Sequence, residues 1–317
     1  MSSLFAILAL LFGGFLLYKG ADFFVQGAVS IARRLDIPPF LIGLTLVAFG
    51  TSVPEFFVNL TAAFQGATEL SIANILGSNL VNIALGLGLV AIITPVVLRK
   101  ATIWKEIPYT FFATILLVAF VIDIPFDHAM GMLSRTDAVF LLFCFVAFLI
   151  YAIKTVEKKE SPKYETKEFS LFFSVLFLLG GLIGLALGGY LTVQGAVFLA
   201  QMLGVTQRII GLTVVAIGTS LPEIMTTVVA GLRRQTDVAV GNIIGSNIFN
   251  ILCILGLTAL IRPITISNEI FLDLFVVLFI TLLLFAFMFI GKRHILERYQ
   301  GWIFVLGYLG YLVYIVF

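Results

Sequence analysis

Charge is what this chain has least of. Lys, Arg, Asp and Glu make up 11% of its 317 residues, against 61% hydrophobic residues. Soluble domains are about a quarter charged, so a soluble globular fold is excluded. A formal net charge of +2 says little about partners, and no nucleic acid is expected among them. Cysteine and histidine are equally scarce, at two residues each. Cys144 and Cys253 stand alone in apolar segments, which excludes a disulfide framework and a CxxC metal site. His294 lies in a basic loop without acidic or cysteine neighbours, so no imidazole metal site is read there. With no His/Cys/Asp cluster and no Ser–Lys pair, nothing supplies the activated nucleophile of an intramembrane enzyme. The chain is read as a non-enzyme without a cofactor.

What it has instead is long apolar runs. About 20 such residues cross the hydrocarbon, and the spans expected are 4–33, 38–65, 70–97, 102–122, 136–156, 168–202, 206–232, 236–261, 270–291 and 299–317. The first, MSSLFAILALLFGGFLLY, lacks a basic leader and a clear cleavage site, and reads as a retained helix. The fold class is therefore an all-α polytopic membrane protein of ten transmembrane helices, five in each half. Residues 1–153 form the first half, 154–168 a charged linker and 169–317 the second half. Of the 19 lysines and arginines, only Arg135, Arg208 and Arg262 fall at one set of helix ends, and Lys19 lies within the first helix. All the others sit at the opposite ends, which the positive-inside rule makes cytoplasmic. Both termini are then extracytoplasmic, in a multi-pass cell (inner) membrane protein whose surroundings are lipid.

One stretch occurs twice. Residues 43–95 begin GLTLVAFGTSVPEFF and residues 211–263 begin GLTVVAIGTSLPEIM. A constant offset carries Gly50-Thr51-Ser52 and Pro54-Glu55 onto Gly218-Thr219-Ser220 and Pro222-Glu223. It also carries Asn74, Ser78-Asn79 and Asn82 onto Asn242, Ser246-Asn247 and Asn250. An odd number of helices per half makes the second repeat inverted relative to the first. Helices one and six repeat too, since Val25-Gln26-Gly27-Ala28-Val29 matches Val193-Gln194-Gly195-Ala196-Val197. Gly180, Gly184 and Gly188 form a small-xxx-small face for close helix contact or sliding.

The repeat also carries the chemistry. An acid at membrane depth is costly and marks a functional site by default; here two acids recur at equivalent places. Pro54 and Pro222 break their helices and free main-chain carbonyls. Thr51, Glu55 and Asn59 share one helix face, as do Thr219, Glu223 and Thr227. Inversion brings the two breaks together at the midplane. Carboxylates, hydroxyls, amide oxygens and carbonyls make an all-oxygen site, which suits calcium or sodium over zinc or copper. Two negative charges match one divalent ion or two monovalent ones, a physical basis for competition between them.

The doubled GTSxPE and GSN-xx-N segments resemble the paired α-repeats of the sodium/calcium exchangers, within the cation/calcium antiporter superfamily, and the short linker resembles its compact prokaryotic members. The resemblance implies that Glu55 and Glu223 are the central metal-binding pair, joined at the calcium site by the Thr51 and Thr219 carbonyls. It implies one flanking sodium site of Ser52, Ser78 and the Ala48 carbonyl, and a mirror site of Ser220, Ser246 and the Ala216 carbonyl. It further implies that Asn82 and Asn250 face the middle site beside the two glutamates. Familiar exchangers often carry aspartate where this chain has Asn250.

The function expected is a secondary antiporter exchanging Ca2+ for Na+ by alternating access, with inorganic cations as its partners and no obligate protein partner. Proton/calcium exchange is the alternative, since the glutamates are able to carry protons. A channel would need a continuous pore in place of an occluded midplane site. Lys19 and Asp22, three apart on the first helix, are expected to neutralise each other. Asp123, Asp127 and His128 are expected in a solvated outer loop.

Overall fold

The repeat appears in the backbone of the computed structural model, which describes residues 3–122, 131–154, 169–205, 214 and 216–316. In chain order the helices are α1 (Ser3–Arg34), α2 (Pro39–Thr51), α3 (Val53–Gln65), α4 (Thr68–Ile93), α5 (Thr102–Val121), α6 (Arg135–Lys154), α7 (Leu171–Met202), α8 (Ala216–Thr219), α9 (Leu221–Leu232), α10 (Thr236–Ile261), α11 (Asn268–Phe287) and α12 (Arg298–Val316). Helices α4 and α10 begin and end at equivalent positions of the two repeats. Each contains a wider turn, Asn82–Leu87 in one and Phe249–Leu255 in the other.

Among the described residues seven helices are long and apolar enough to cross a membrane, or eight if the pair α2 and α3, bent by 46°, is one span. The chain is an all-α polytopic membrane protein. Several expected boundaries move. The span expected at 38–65 is two helices broken at Ser52. That expected at 70–97 stops at Ile93, because Thr94 is extended ahead of Pro95. That expected at 270–291 ends at Phe287. Of the span 206–232, residues 206–213 and 215 lie outside the described residues, as do the linker 155–168 and the Asp123, Asp127 and His128 loop.

Four two-residue strands were not expected. β1 (Val96–Val97) pairs antiparallel with β4 (Ile295–Leu296), and β2 (Met132–Leu133) with β3 (Ile264–Thr265). Each pair joins the two halves. Because β1 and β3 are repeat equivalents, the exchange is reciprocal.

Helices α1 and α7 pack antiparallel, with Gly13, Gly20 and Gly27 facing Gly188, Gly181 and Ser174 in descending order. A Cβ on Gly20 would lie 2.7 Å from the Leu185 nitrogen, and one on Gly181 would lie 2.4 Å from that of Phe24. Backbone-to-backbone approach of this kind needs glycine. Of the expected face, Gly184 and Gly188 make the contact, a Cβ on Gly184 lying 3.1 Å from the Gly20 Cα, whereas Gly180 meets nothing within 4 Å among the described residues; the tightest approaches fall at Gly181, Gly188 and Gly195. That seven-residue spacing follows the seam of two helices wound about each other.

The expected Lys19–Asp22 pair does not form. Asp22 is ion-paired with Arg233 at the end of α9 and accepts from Gln26 at 3.1 Å, while Lys19 lies 5.7 Å from the Tyr18 ring centroid. A planar guanidinium from the other repeat reaches the carboxylate that a same-helix lysine leaves. A second inter-repeat ion pair joins Arg99 to Asp237.

Candidate ion-binding site

Proline sets the geometry of the site. Pro54 and Pro222 have no N–H for the carbonyls four residues back, at Gly50 and Gly218. Ser52 (φ −82°, ψ 8°) and Ser220 (φ −86°, ψ 2°) take the bridge conformation at the two breaks. Each break sets the C-terminal end of α2 or α8 before the first turn of α3 or α9, where Glu55 and Glu223 stand. Helix C-terminal ends carry partial negative charge and favour a cation. The free N–H groups of the following turn help to hold a carboxylate there.

Both glutamates are fully buried, and each is held across the repeats. Ser52 Oγ donates to Glu223 Oε1 at 2.9 Å, and Ser220 Oγ donates to Glu55 Oε1 at 3.3 Å. Ser78 Oγ adds a longer bond to Glu55 Oε1, 3.4 Å. Ser246 does not mirror Ser78; its Oγ donates to the Ala48 carbonyl at 3.4 Å. The hydrogen bonds thus bring together serines from the two flanking sets named from the resemblance. Ser78 and Ser220 converge on Glu55, Ser52 meets Glu223, and the Ala48 carbonyl meets Ser246. Ala216 opens α8. The Thr51 and Thr219 hydroxyls lie 3.1 and 3.3 Å from the amide oxygens of Asn242 and Asn74.

An amide cluster adjoins the acids. Asn79 Nδ2 donates to the Asn247 carbonyl at 3.2 Å, and Asn247 Nδ2 to the Asn79 carbonyl at 3.3 Å. Their side-chain oxygens accept crosswise. Asn82 Nδ2 donates to Asn247 Oδ1 at 3.1 Å, and Asn250 Nδ2 to Asn79 Oδ1 at 3.0 Å. The N–H ends of Asn82 and Asn250 are thus occupied, and their oxygens are left free. Sequence reasoning aligned Asn79 with Asn247 but gave the pair no role; their symmetry within the doubled motif is the signal that marks them.

Among the buried oxygens in this region that have no protein partner are Glu55 Oε2, Glu223 Oε2, Asn82 Oδ1 and Asn250 Oδ1. Buried acceptors are rarely left unpaired, because desolvation costs each about 1–3 kcal/mol. Two carboxylate and two amide oxygens without donors are the ligand chemistry of a hard cation.

Two further intramembrane acids were not singled out by sequence. Glu106 on α5 accepts from the Tyr151 hydroxyl at 2.9 Å, and Asp273 on α11 from that of Tyr311 at 2.6 Å. A lone acid in an apolar span was the signal. An apolar cavity of about 670 Å³ between α2, α3, α6 and α10 borders Ala48 and Gly245. Its Thr45 hydroxyl is spent on the Leu41 carbonyl at 2.7 Å, so that threonine has no proton left for another partner.

The family model described as sodium/calcium exchanger protein matches residues 5–154 and 173–317. A putative antiporter, CaxA, from Alkalimonas amylolytica is 37% identical over 318 residues, covering 97% of this chain and 98% of the relative. The sodium/calcium exchanger MaX1 of Methanosarcina acetivorans is 30% identical over 345 residues, covering 96% and 97%. A structure of the sodium-calcium exchanger NCX_Mj, soaked with sodium and zero calcium, superposes with a TM-score of 0.83 at 33% identity, over 98% of this chain and 99% of that one. The chain belongs to the sodium/calcium exchanger family.

Proposed function

We propose that this protein is a secondary antiporter that exchanges Ca2+ for Na+ across the cell membrane, by alternating access at a site between Glu55 and Glu223. One observation carries the reading: the two buried glutamates are held by serines of opposite repeats, and each keeps one oxygen unpaired. Two carboxylates balance one calcium ion or two sodium ions, so neither cargo enters without displacing the other. The helix C-terminal ends at Thr51 and Thr219, with the Ala48 carbonyl, add neutral oxygens that hold a dehydrated cation. The flanking sodium ligands are Ser78 and Ser220 beside Glu55, with Ser52, Ser246 and the Ala48 carbonyl on the other side. Asn82 and Asn250 face the ions from the middle.

The architecture in this proposal is ten spans in two inverted repeats, residues 1–153 and 169–317, joined by the cytoplasmic linker 154–168, with both termini extracytoplasmic. Support for inversion comes from the antiparallel packing of the equivalent helices α1 and α7, and from the reciprocal strand pairs. Proton/calcium exchange is the second reading, favoured by the neutral amide at Asn250, which leaves the glutamates as the acids able to carry protons.

The test is calcium uptake by purified protein in liposomes, with sodium, potassium and proton gradients imposed separately. Uptake driven by sodium alone is expected. Uptake driven by protons alone would replace the sodium reading with the second one, and conductance without counter-ion would replace both with a channel.

A further inference from the structure

The two repeats differ in their bonding at one pair of equivalent positions, Asn59 and Thr227. In the second repeat Asn242 ties α10 to the broken helix α9. Its Nδ2 donates to the Glu223 carbonyl at 3.2 Å and to Thr227 Oγ1 at 2.9 Å. The mirror bonds would run from Asn74 on α4 to the Glu55 carbonyl and to Asn59, and they are not made. Asn74 Nδ2 and Asn59 Oδ1 are both buried without a partner. The Glu55 carbonyl is taken by Asn59's own Nδ2, at 2.8 Å.

The stitched side is also closely packed. A Cβ on Gly245 would lie 2.3 Å from the Leu44 carbonyl oxygen, so α10 is pressed against α2, and Ser246 reaches Ala48 across that contact. Asn242 is fully buried, whereas Asn74 is half-buried. In the second repeat the tie to the broken helix is made; in the first a donor and an acceptor are left unused.

We propose that Asn74 is a positioning residue for alternating access: in the opposite access state its Nδ2 takes the Glu55 carbonyl from Asn59, while Asn242 releases that of Glu223. The inference rests on the antiporter reading above. In an inverted repeat the two access states exchange the roles of the halves, so a bond made in one half and prepared but unmade in the other is what such an exchange requires. Asn59 occupies the contested carbonyl and weights the equilibrium toward the arrangement seen here. Thr227, in its place in the second repeat, serves Asn242 as an acceptor.

The variants Asn59→Thr and Thr227→Asn each install the other repeat's residue. In the reconstituted protein the half-saturating calcium concentration is measured from each membrane face. Asn59→Thr is expected to shift the ratio of the two values about three- to tenfold, the size expected for one net hydrogen bond, and Thr227→Asn to shift it the same way, because the first frees the Glu55 carbonyl for Asn74 and the second sets a competitor on the Glu223 carbonyl that Asn242 holds. A merely structural fault would slow transport equally from both faces. Shifts of opposite sign, or an unchanged ratio, would overturn the proposal. Hydrogen exchange on the purified protein needs no flux and judges the proposal even if the parent fails to exchange calcium for sodium. There Asn59→Thr is expected to slow exchange in α3 and Thr227→Asn to speed it in α9; unchanged rates in both helices would overturn it.

Discussion

Ser52 of the first repeat donates its hydroxyl to Oε1 of Glu223 in the second, at 2.9 Å, and both side chains are fully buried. Ser220 returns the bond to Glu55. Neither repeat completes its own carboxylate, so the site exists only where the two broken helices meet. Any movement of one repeat against the other must therefore change the ligand set itself. This coupling of site to movement is what exchange of two cargoes through one centre demands.

The two acids carry the first prediction. At an effective dielectric constant near 20, a unit charge pair 4 Å apart contributes about 4 kcal/mol, and about twice that for a divalent ion. Glu55→Gln or Glu223→Gln should therefore abolish measurable calcium exchange while the protein still inserts and purifies normally. Calcium flux at the parental rate in either variant would remove the site proposed here.

The flanking hydroxyls are smaller contributors. Ser78→Ala leaves Glu55 with the Ser220 donor, and Ser246→Ala frees the Ala48 carbonyl. Each loses a bond with a net contribution of about 0.5–1.5 kcal/mol. The half-saturating sodium concentration is expected to rise by up to about tenfold in both, with calcium affinity changing less. Calcium binding lost at unchanged sodium affinity would mean that the ions are assigned to the wrong oxygens.

The repeat, the two breaks and the acids were legible because each rests on residue identity. Proline removes a donor wherever it sits, and a glutamate in an apolar run is too costly to recur at equivalent places without a use. The partition of the serines was not legible. It depends on how two helices cross, and the offset that aligns Ser78 with Ser246 does not reveal that Ser246 reaches Ala48. Asp22 shows the same limit. Its sequence neighbour Lys19 was in reach along the helix, but Arg233 approaches from the other repeat. Glycine spacing located the close helix contact through Gly184 and Gly188 but took Gly180 for Gly181, because those two are indistinguishable until the partner helix is placed.

That register makes its own prediction. Gly181→Ala places a methyl group 2.4 Å from the Phe24 nitrogen, and only backbone movement relieves it. Overpacking of this kind costs about 1–3 kcal/mol. Gly181→Ala should lower the melting temperature of the detergent-solubilised protein, and Gly180→Ala should leave it unchanged. Equal melting temperatures for the two variants would contradict the α1–α7 packing described.

Asn250 offers the sharpest chemical test. Its Nδ2 is fixed by Asn79 at 3.0 Å and its Oδ1 is unpaired, so the residue presents one neutral oxygen where an aspartate would present a charge or a proton. Asn250→Asp adds a third carboxyl beside Glu55 and Glu223. Like charges disfavour ionisation, so three carboxyls in one site retain a proton to higher pH than two do. As pH falls, that proton is taken up earlier than in the parent. It adds positive charge where calcium must bind, and calcium flux should fall at a higher pH. Asn82→Asp should behave alike, because its amide is fixed by Asn247 in the reciprocal arrangement, at 3.1 Å. The measurement is calcium flux against pH for the parent and both variants at fixed sodium. Three superimposable profiles would mean that these amide oxygens do not face the ions, and the middle of the site would have to be rebuilt from other residues.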